Sequence, residues 1–442
     1  MQSRRTAARA AAVATGLAIA VGSLAACSGG DDESKGGEGG KVELSWLVPA
    51  DDQTVPMAEA LVDGFNDKNP DITIKLETHP AGVEGDNAVK TRLATGEMND
   101  IFYYNSGALM QAFAPDKTLV DLSDQAWVGD LSDNFKRVVS TDAGLYGVPM
   151  GTSYAGGVLY NKDVYADLGL EIPTSWDEFI ANNDKIKAAG ITPVLQSLGE
   201  SWTGQVPVLA DFANVLQADP EWADKYTGNK AKYADAPALA SFEHSQELYE
   251  KGYFNEDFAS ATINDVLVEL AEGTGAQYIM LSAGGLNGLT QVAPEAIDHI
   301  GIFALPAEDA ANTAITTWEP NASYIPKTTT GAKLDASLKF FDFINSADGC
   351  AIQNEFFTAA GPFSLTTCEV AEGAAPMVAD IQKYVEDGKA APALEFLSPV
   401  KGPNLPNIMV EVLSGITSGE EGAKAYDDDV KAQAQQLNLE GW

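Results

Sequence analysis

From Val42 onward the chain alternates strand and helix in quick succession, and that alternation limits the folds open to it. "VELSWLV" (42–48) sets Val42, Leu44 and Trp46 on one face at the two-residue period of a strand. "VPMAEALVDGFNDKNP" (55–70) spaces its apolar residues as a helix and stops at Asn69-Pro70. "DITIKLE" (71–77) is again a strand, "NAVKTRLATGE" (87–97) a helix, and "DIFYYN" (100–105) a third strand. Strand, helix and strand at such short spacing predict parallel strands joined by crossover helices, an α/β fold. In open sheets of that kind ligands sit at the carboxyl ends of strands. Trp46, Asp51 and Asn105 are therefore candidate ligand contacts, with core packing the competing role for Trp46 and surface capping for the other two.

The texture changes in "GLYGVPMGTSYAGGVLYNKDVY", where Gly and Pro punctuate an extended run. Pro149 to Tyr154 reads as a hinge, which makes 42–150 the first part of lobe 1 and 151–317 lobe 2. Lobe 2 contains the amphipathic helix "SWDEFIANNDKIKAAG" with Trp176 and Phe179 inward, and the strands "ITPVLQSL", "AQYIML" and "HIGIFALP". "TTWEPNASYIPK" then reads as a return crossing into a second part of lobe 1, 318–362, with one long helix over "KLDASLKFFDFINSADGCAIQNEFF". Residues 363–442 are expected to be C-terminal helices packing mainly on lobe 2. Two lobes also suit the length, since about 400 residues at 45% hydrophobic exceed what one core serves.

Ahead of this body, Arg4, Arg5 and Arg9 precede an uncharged Ala/Val/Leu/Ile stretch ending at Ala26, the pattern of a secretory signal peptide (1–26). It is Ala-rich and broken by Gly16 and Gly22, too weakly apolar for a spanning helix. The Arg4-Arg5 pair leaves the export route, general or twin-arginine, open. Leu24-Ala25-Ala26-Cys27 resembles the lipobox of bacterial lipoproteins, which implies a diacylglycerol on Cys27 and a lipid-anchored linker over 27–41. Ser28 to Lys41 are almost all Gly, Ser, Asp, Glu and Lys, so nothing offsets the entropy of ordering them, and they are expected to act as a flexible tether.

The signal segment carries three arginines and no acid, so the net charge of −37 for the whole chain becomes −40 beyond it. That sign excludes nucleic acid and anionic lipid surfaces as partners. Only Cys350 and Cys368 remain after Cys27. In an exported chain they are expected to form a disulfide, a pair of buried thiols being the alternative. The three histidines, at 79, 244 and 299, lack any metal-ligand spacing, and "AYDDDVKAQA" lacks the glycine and closing glutamate of a calcium loop, so no metal is expected. No phosphate loop or dinucleotide fingerprint appears, and no cofactor is expected. "GTSYA" fails the nucleophile elbow at its last position, and the penicillin-binding scraps at Ser132, Lys327 and Ser398 run in the wrong order. Paired carboxylates for glycoside hydrolysis are defined in space and are left open by a chain with 64 acids.

"FNDKNPDITIKLE", "KTRLATGEMNDIFYYNSG", "LYGVP", "VLYNKDVYADLGLEIPTSWDEFIANNDKIKAAGITP" and "ASLKFFDFINSADG", in this order and spacing, resemble the carbohydrate-type (family 1) extracellular solute-binding proteins of ABC importers. The resemblance implies a two-lobed periplasmic-binding-protein-like fold with hinge crossovers. It also implies a monomer that closes on a sugar or oligosaccharide and hands it, unaltered, to the permease from the extracytoplasmic face of the cell membrane. A sugar site needs aromatic faces for C–H surfaces and a rim of donors and acceptors. Trp202 in the polar loop "GESWTGQ", where the family often places a stacking Trp, joins the candidates, as do Tyr154 at the first crossing and Trp318 and Glu319 at the second. Gln277 stands where the family commonly has Met, and Gly284-Gly285 where it has a Gly-x-Trp loop. The same fold holding a peptide or polyamine is the alternative, and a lipoprotein hydrolase a more distant one.

Overall fold

The computed structural model describes residues 41–51, 53–80 and 83–442. The expected signal peptide (1–26), the expected lipidation site Cys27 and the expected tether up to residue 40 lie outside the described residues.

Lobe 1 is built on a five-stranded sheet. Its strands are β1 (Val42–Pro49), β2 (Ile72–His79), β3 (Ile101–Tyr104), β4 (Gly147–Pro149) and the late strand Ala322–Tyr324, in the order β2-β1-β3-(322–324)-β4. β1 runs parallel to both β2 and β3, while 322–324 is antiparallel to β3 and β4. Helix α1 (Thr54–Lys68) presents Met57, Ala58, Leu61, Val62 and Phe65 to the sheet, the three-and-four spacing of one helical face. Asp51 sits just before it, its Oδ1 accepting the backbone N–H of Gln53 at 3.0 Å and of Thr54 at 2.7 Å. Its side chain thus satisfies orphan donors at a helix start.

Trp46 corrects an expectation. It is 0% exposed and meets Phe340 edge-on at 5.1 Å, inside the lobe 1 core. β1 is flanked on both edges and lies under the helix α2 (Ala332–Ile344), so its middle residues turn to the core and away from any cleft. The long helix expected over 333–357 is two helices, α2 and α3 (Ala347–Phe356), because Ser346 breaks the run by accepting the N–H of Gly349.

Lobe 2 centres on the long strand β5 (Tyr154–Asn161). One edge of β5 pairs antiparallel with β6 (Gly275–Leu281), to which Thr192–Leu195 adds in parallel. Its other edge takes two strands end to end, Ile315–Trp318 beside residues 154–156 and Ile300–Phe303 beside 158–161. The three-residue strand Ala390–Pro392 closes that side. Trp176 and Phe179 are buried beneath the sheet. A satellite core unites Phe212, Trp222 and Tyr226 with the C-terminal helices Leu405–Leu413 and Gly419–Gln436.

Phe363, Leu365 and Cys368 belong to the lobe 1 core, so the return segment runs past residue 362 before the chain crosses back. The structure joins Cys350 to Cys368, with Cα atoms 5.6 Å apart and a sequence separation of 18. Closing a loop of that size contributes about 3 kcal/mol in the chain-entropy model.

Three segments thus cross between the lobes: 150–153, 319–321 and the stretch after α3. They are hydrogen-bonded to one another. Met150 N donates to Asn321 O at 3.0 Å, and both the amide and the hydroxyl of Ser153 donate to Pro362 O at 2.9 Å. Gly361 lies against Ser153, where a Cβ would fall 2.5 Å from the Ser153 carbonyl oxygen, so only glycine fits there.

Trp46→Ala is expected to lower stability by about 3–5 kcal/mol, the cost of truncating a buried tryptophan, while the folded fraction binds solute as before. Denaturant unfolding with and without the bound solute checks this, and a selective loss of affinity would contradict the core assignment.

Candidate ligand-binding cleft

Between the lobes, against the crossings, lies a cavity of about 730 Å3. Lobe 1 contributes the end of β3 and the residues after it, Tyr103, Asn105 and Ser106, and the end of α3 with Phe356 and Phe357. Lobe 2 contributes Tyr154 at the start of β5, Trp318 and Glu319 at the end of the 315–318 strand, and the turn carrying Glu395, Phe396 and Lys401.

Tyr154 and Trp318 are directly opposed in the antiparallel register, and their rings stack at 5.6 Å with planes 8° apart. Gly156 makes room for this, since a Cβ there would stand 3.0 Å from the indole. The Trp318 Nε1–H donates to Glu395 Oε1 at 3.0 Å, and the Lys401 ammonium lies 3.4 Å from Glu395 Oε2. Burial, followed by the Glu395 carboxylate, raises the Tyr154 phenol above its ordinary range. Burial likewise pushes the Tyr103 phenol up to about 12.

Glu319 is buried, with Oε1 accepting the Thr317 hydroxyl at 2.8 Å and Oε2 the Ser364 hydroxyl at 3.1 Å. Its carboxyl is raised by burial, partly offset by these two hydroxyl donors. Because Ser364 lies in the stretch after α3 and Glu319 on the second crossing, this one side chain both lines the cavity and ties two crossing segments together.

Of the residues nominated by the sequence, Asn105, Tyr154, Trp318 and Glu319 meet at the cavity. Trp46 is in the core and Asp51 caps α1. Trp202 does not line the cavity. It sits in a single turn, Ser201–Gln205, packed on the Leu405–Leu413 helix and is 36% exposed. A polar loop after a strand places a side chain at the surface, but which surface depends on the helix it rests on. The segment "ALEFLSPVK" (393–401), which the sequence does not single out, supplies Glu395, Phe396 and Lys401. Its signal was the same as that of "GESWTGQ", an aromatic and an acid in a loop, and it was hidden among C-terminal helices. Gln277 is fully buried, its amide donating to the Pro193 carbonyl at 3.0 Å and its oxygen accepting the Tyr165 hydroxyl at 2.8 Å, which explains a polar residue at that strand position.

The cavity therefore offers aromatic faces beside charged and neutral hydrogen-bonding groups. No three His, Cys, Asp or Glu side chains among the described residues are placed to hold a metal ion. Two α/β lobes joined by laced crossings around such a cavity define a protein that encloses a solute. Residues 50–349 match the model of the bacterial extracellular solute-binding proteins, and the chain belongs to that family. It is a binding protein and not an enzyme. It is 24% identical over 296 residues to the multiple sugar-binding protein of Streptococcus mutans, covering 65% of this chain and 67% of that one. Over 253 residues it is 22% identical to the melibiose/raffinose/stachyose-binding protein of Bacillus subtilis, covering 56% and 57%. The chain thus spans between half and two thirds of the length of these relatives. The apo-form of RafE from Streptococcus pneumoniae superposes with a TM-score of 0.72 at 20% identity, covering 92% of this chain and all of that one.

A carboxyl raised in the folded state holds its proton more tightly there than in the unfolded chain. Its contribution favours the fold below the ordinary carboxylate range and is lost as pH climbs through the raised value. Glu319→Gln keeps the shape, and Thr317 can turn its proton to the Ala391 carbonyl, 3.3 Å away. The variant is expected to be more stable than the parent at pH 8, by on the order of 1 kcal/mol, with the gap closing toward pH 4. Melting temperatures across that range test it, and a gap that widens on acidification would contradict it.

Proposed function

We propose that this chain captures a sugar or oligosaccharide in the interlobe cleft and delivers it to the permease of an ABC importer. The observation that carries the reading is the stacked Tyr154–Trp318 pair set beside Glu319, Glu395 and Lys401. A pyranose has an apolar C–H face that rests on an aromatic ring and hydroxyls that need both donors and acceptors. Each ring stacked this way contributes about 0.5–1.5 kcal/mol beyond its buried area, by analogy with aromatic pairs. The two relatives above are named for sugars, which supports the same class here. The substrate class, the permease and the monomeric state are part of this proposal.

The proposal places the protein on the extracytoplasmic face of the membrane, exported by residues 1–26 and held by lipid on Cys27. The Cys350–Cys368 disulfide suits that oxidising location. Among the described residues no helix is long and apolar enough to cross a membrane. A capture protein with its own permease gains from being held near it by such an anchor.

A melting-temperature screen of the intact chain against mono-, di- and oligosaccharides is expected to show a dose-dependent rise for at least one sugar, because a ligand of the native state alone must stabilise it. No rise with any sugar, or the release of new reducing ends during incubation, would reject the reading. For the sugar that wins, Trp318→Ala is expected to weaken binding by about tenfold or more, about 1.4 kcal/mol, and Trp202→Ala to leave it within twofold. Calorimetry distinguishes the two, and the reverse ranking would move the site to Trp202.

A further inference from the structure

Lobe 2 holds a second cavity, of about 410 Å3, that shares no lining residue with the cleft. Its floor is apolar, with Val215, Ala218 and Leu239, and around it stand the carboxyl groups of Asp211, Glu243, Glu308 and Asp309. No lysine or arginine lines it. None of the ion pairs among the described residues involves Asp211, Glu243 or Asp309.

One buried carboxyl sets the chemistry, and a buried histidine braces the rim. Asp211 is 3% exposed, and its Oδ1 accepts the Asn214 amide at 2.8 Å. Asn214 is otherwise occupied, donating to Leu305 O at 2.8 Å and accepting from Ala314 N at 2.9 Å. Burial lifts the Asp211 carboxyl to about 7. His244 is 4% exposed, lies flat on the Trp176 indole at 3.7 Å, and places Nε2 2.7 Å from Glu308 Oε1. A carboxylate accepts, so the proton is on Nε2, and Nδ1 is enclosed by protein with no partner among the described residues. Burial lowers the affinity of this imidazole for a second proton, outweighing Glu308.

A buried carboxyl on Asp211 and a rim of acids call for N–H donors and positive charge, while the floor calls for hydrocarbon. No group of His, Cys, Asp or Glu among the described residues is placed to hold a metal ion, which turns the choice to an organic cation. We propose that this cavity is a binding site, separate from the cleft, for a small organic cation that carries primary ammonium groups on a short hydrocarbon chain. Its ammonium would donate to the Asp211 carboxyl, whose Oδ1 is the oxygen taken by Asn214, while its methylene groups rest on Val215, Ala218 and Leu239. This site is independent of what the cleft holds.

Calorimetric titration of the intact chain at pH 7.5 with butane-1,4-diamine, and separately with tetramethylammonium, tests it. The diamine is expected to bind once per chain and at least tenfold more tightly than tetramethylammonium, which has the charge but no N–H to donate. Asp211→Asn, which keeps the Asn214 contact, is expected to weaken the diamine at least tenfold and to leave cleft affinity for sugar unchanged, whereas Trp318→Ala leaves the diamine unaffected. Should Asp211→Asn fail to fold, the exposed rim variant Glu243→Gln is expected to show a loss of about threefold. Absence of diamine binding, equal affinity for the two cations, or indifference to the Asp211 and Glu243 substitutions would overturn the proposal. Loss of diamine binding in Trp318→Ala would overturn it by placing the diamine in the cleft.

Discussion

Three chain segments pass between the lobes, and the hydrogen bonds that lace them together decide where the cleft walls stand. Met150 to Asn321, Ser153 to Pro362 and Glu319 to Ser364 link first to second, first to third and second to third. With each crossing fixed to the other two, the lobes can rotate only by coordinated changes at these few residues, the behaviour of a hinge. Two of the three links run through side-chain hydroxyls, at Ser153 and Ser364. Hydroxyls reorient readily, which lets the network keep its partners through small rotations.

Glu319 connects that mechanical element to chemistry. A carboxyl buried with two neutral hydroxyls and no cation is unfavourably desolvated when ionised, and it is tolerated where it meets the cavity. A ligand hydroxyl or ammonium arriving there would gain a strong acceptor already held in position. The Tyr154–Trp318 stack is built on the same logic. Both rings leave adjacent sheet strands at the lobe boundary, and the Glu395 contact fixes the indole plane. The stacked rings are therefore supplied by sheet strands, while the crossings and the turn 393–401 add the polar groups.

Much of the fold was legible because local pattern and tertiary role agree. The period of "VELSWLV" and the stop at Asn69-Pro70 gave β1 and α1, and the Gly/Pro-punctuated run around Pro149 marked a real crossing. The long helix over 333–357 was misread because an uninterrupted apolar period conceals a capping serine, Ser346, whose effect is visible only with its Gly349 bond. The cleft was legible where the chain changes lobes, at Tyr154, Trp318 and Glu319, since a crossing brings its residues to the interface whatever the details of packing. It was illegible at Trp46 and Trp202. A tryptophan on a strand and one on a polar loop carry the same apolar content, and the helix that covers the first, 332–344, lies far along the chain.

By itself the sequence determined the alternation of strand and helix, the division into two lobes and the strongly acidic net charge. These follow from neighbouring residues, from composition, or from charge, none of which needs long-range contact. Only the tertiary structure decided which aromatics face the cavity, that the turn 393–401 reaches it, and that Asp211 and His244 share a separate one. Each of those depends on segments distant in sequence coming within a few ångströms, and on the side of a sheet or helix that they happen to cover.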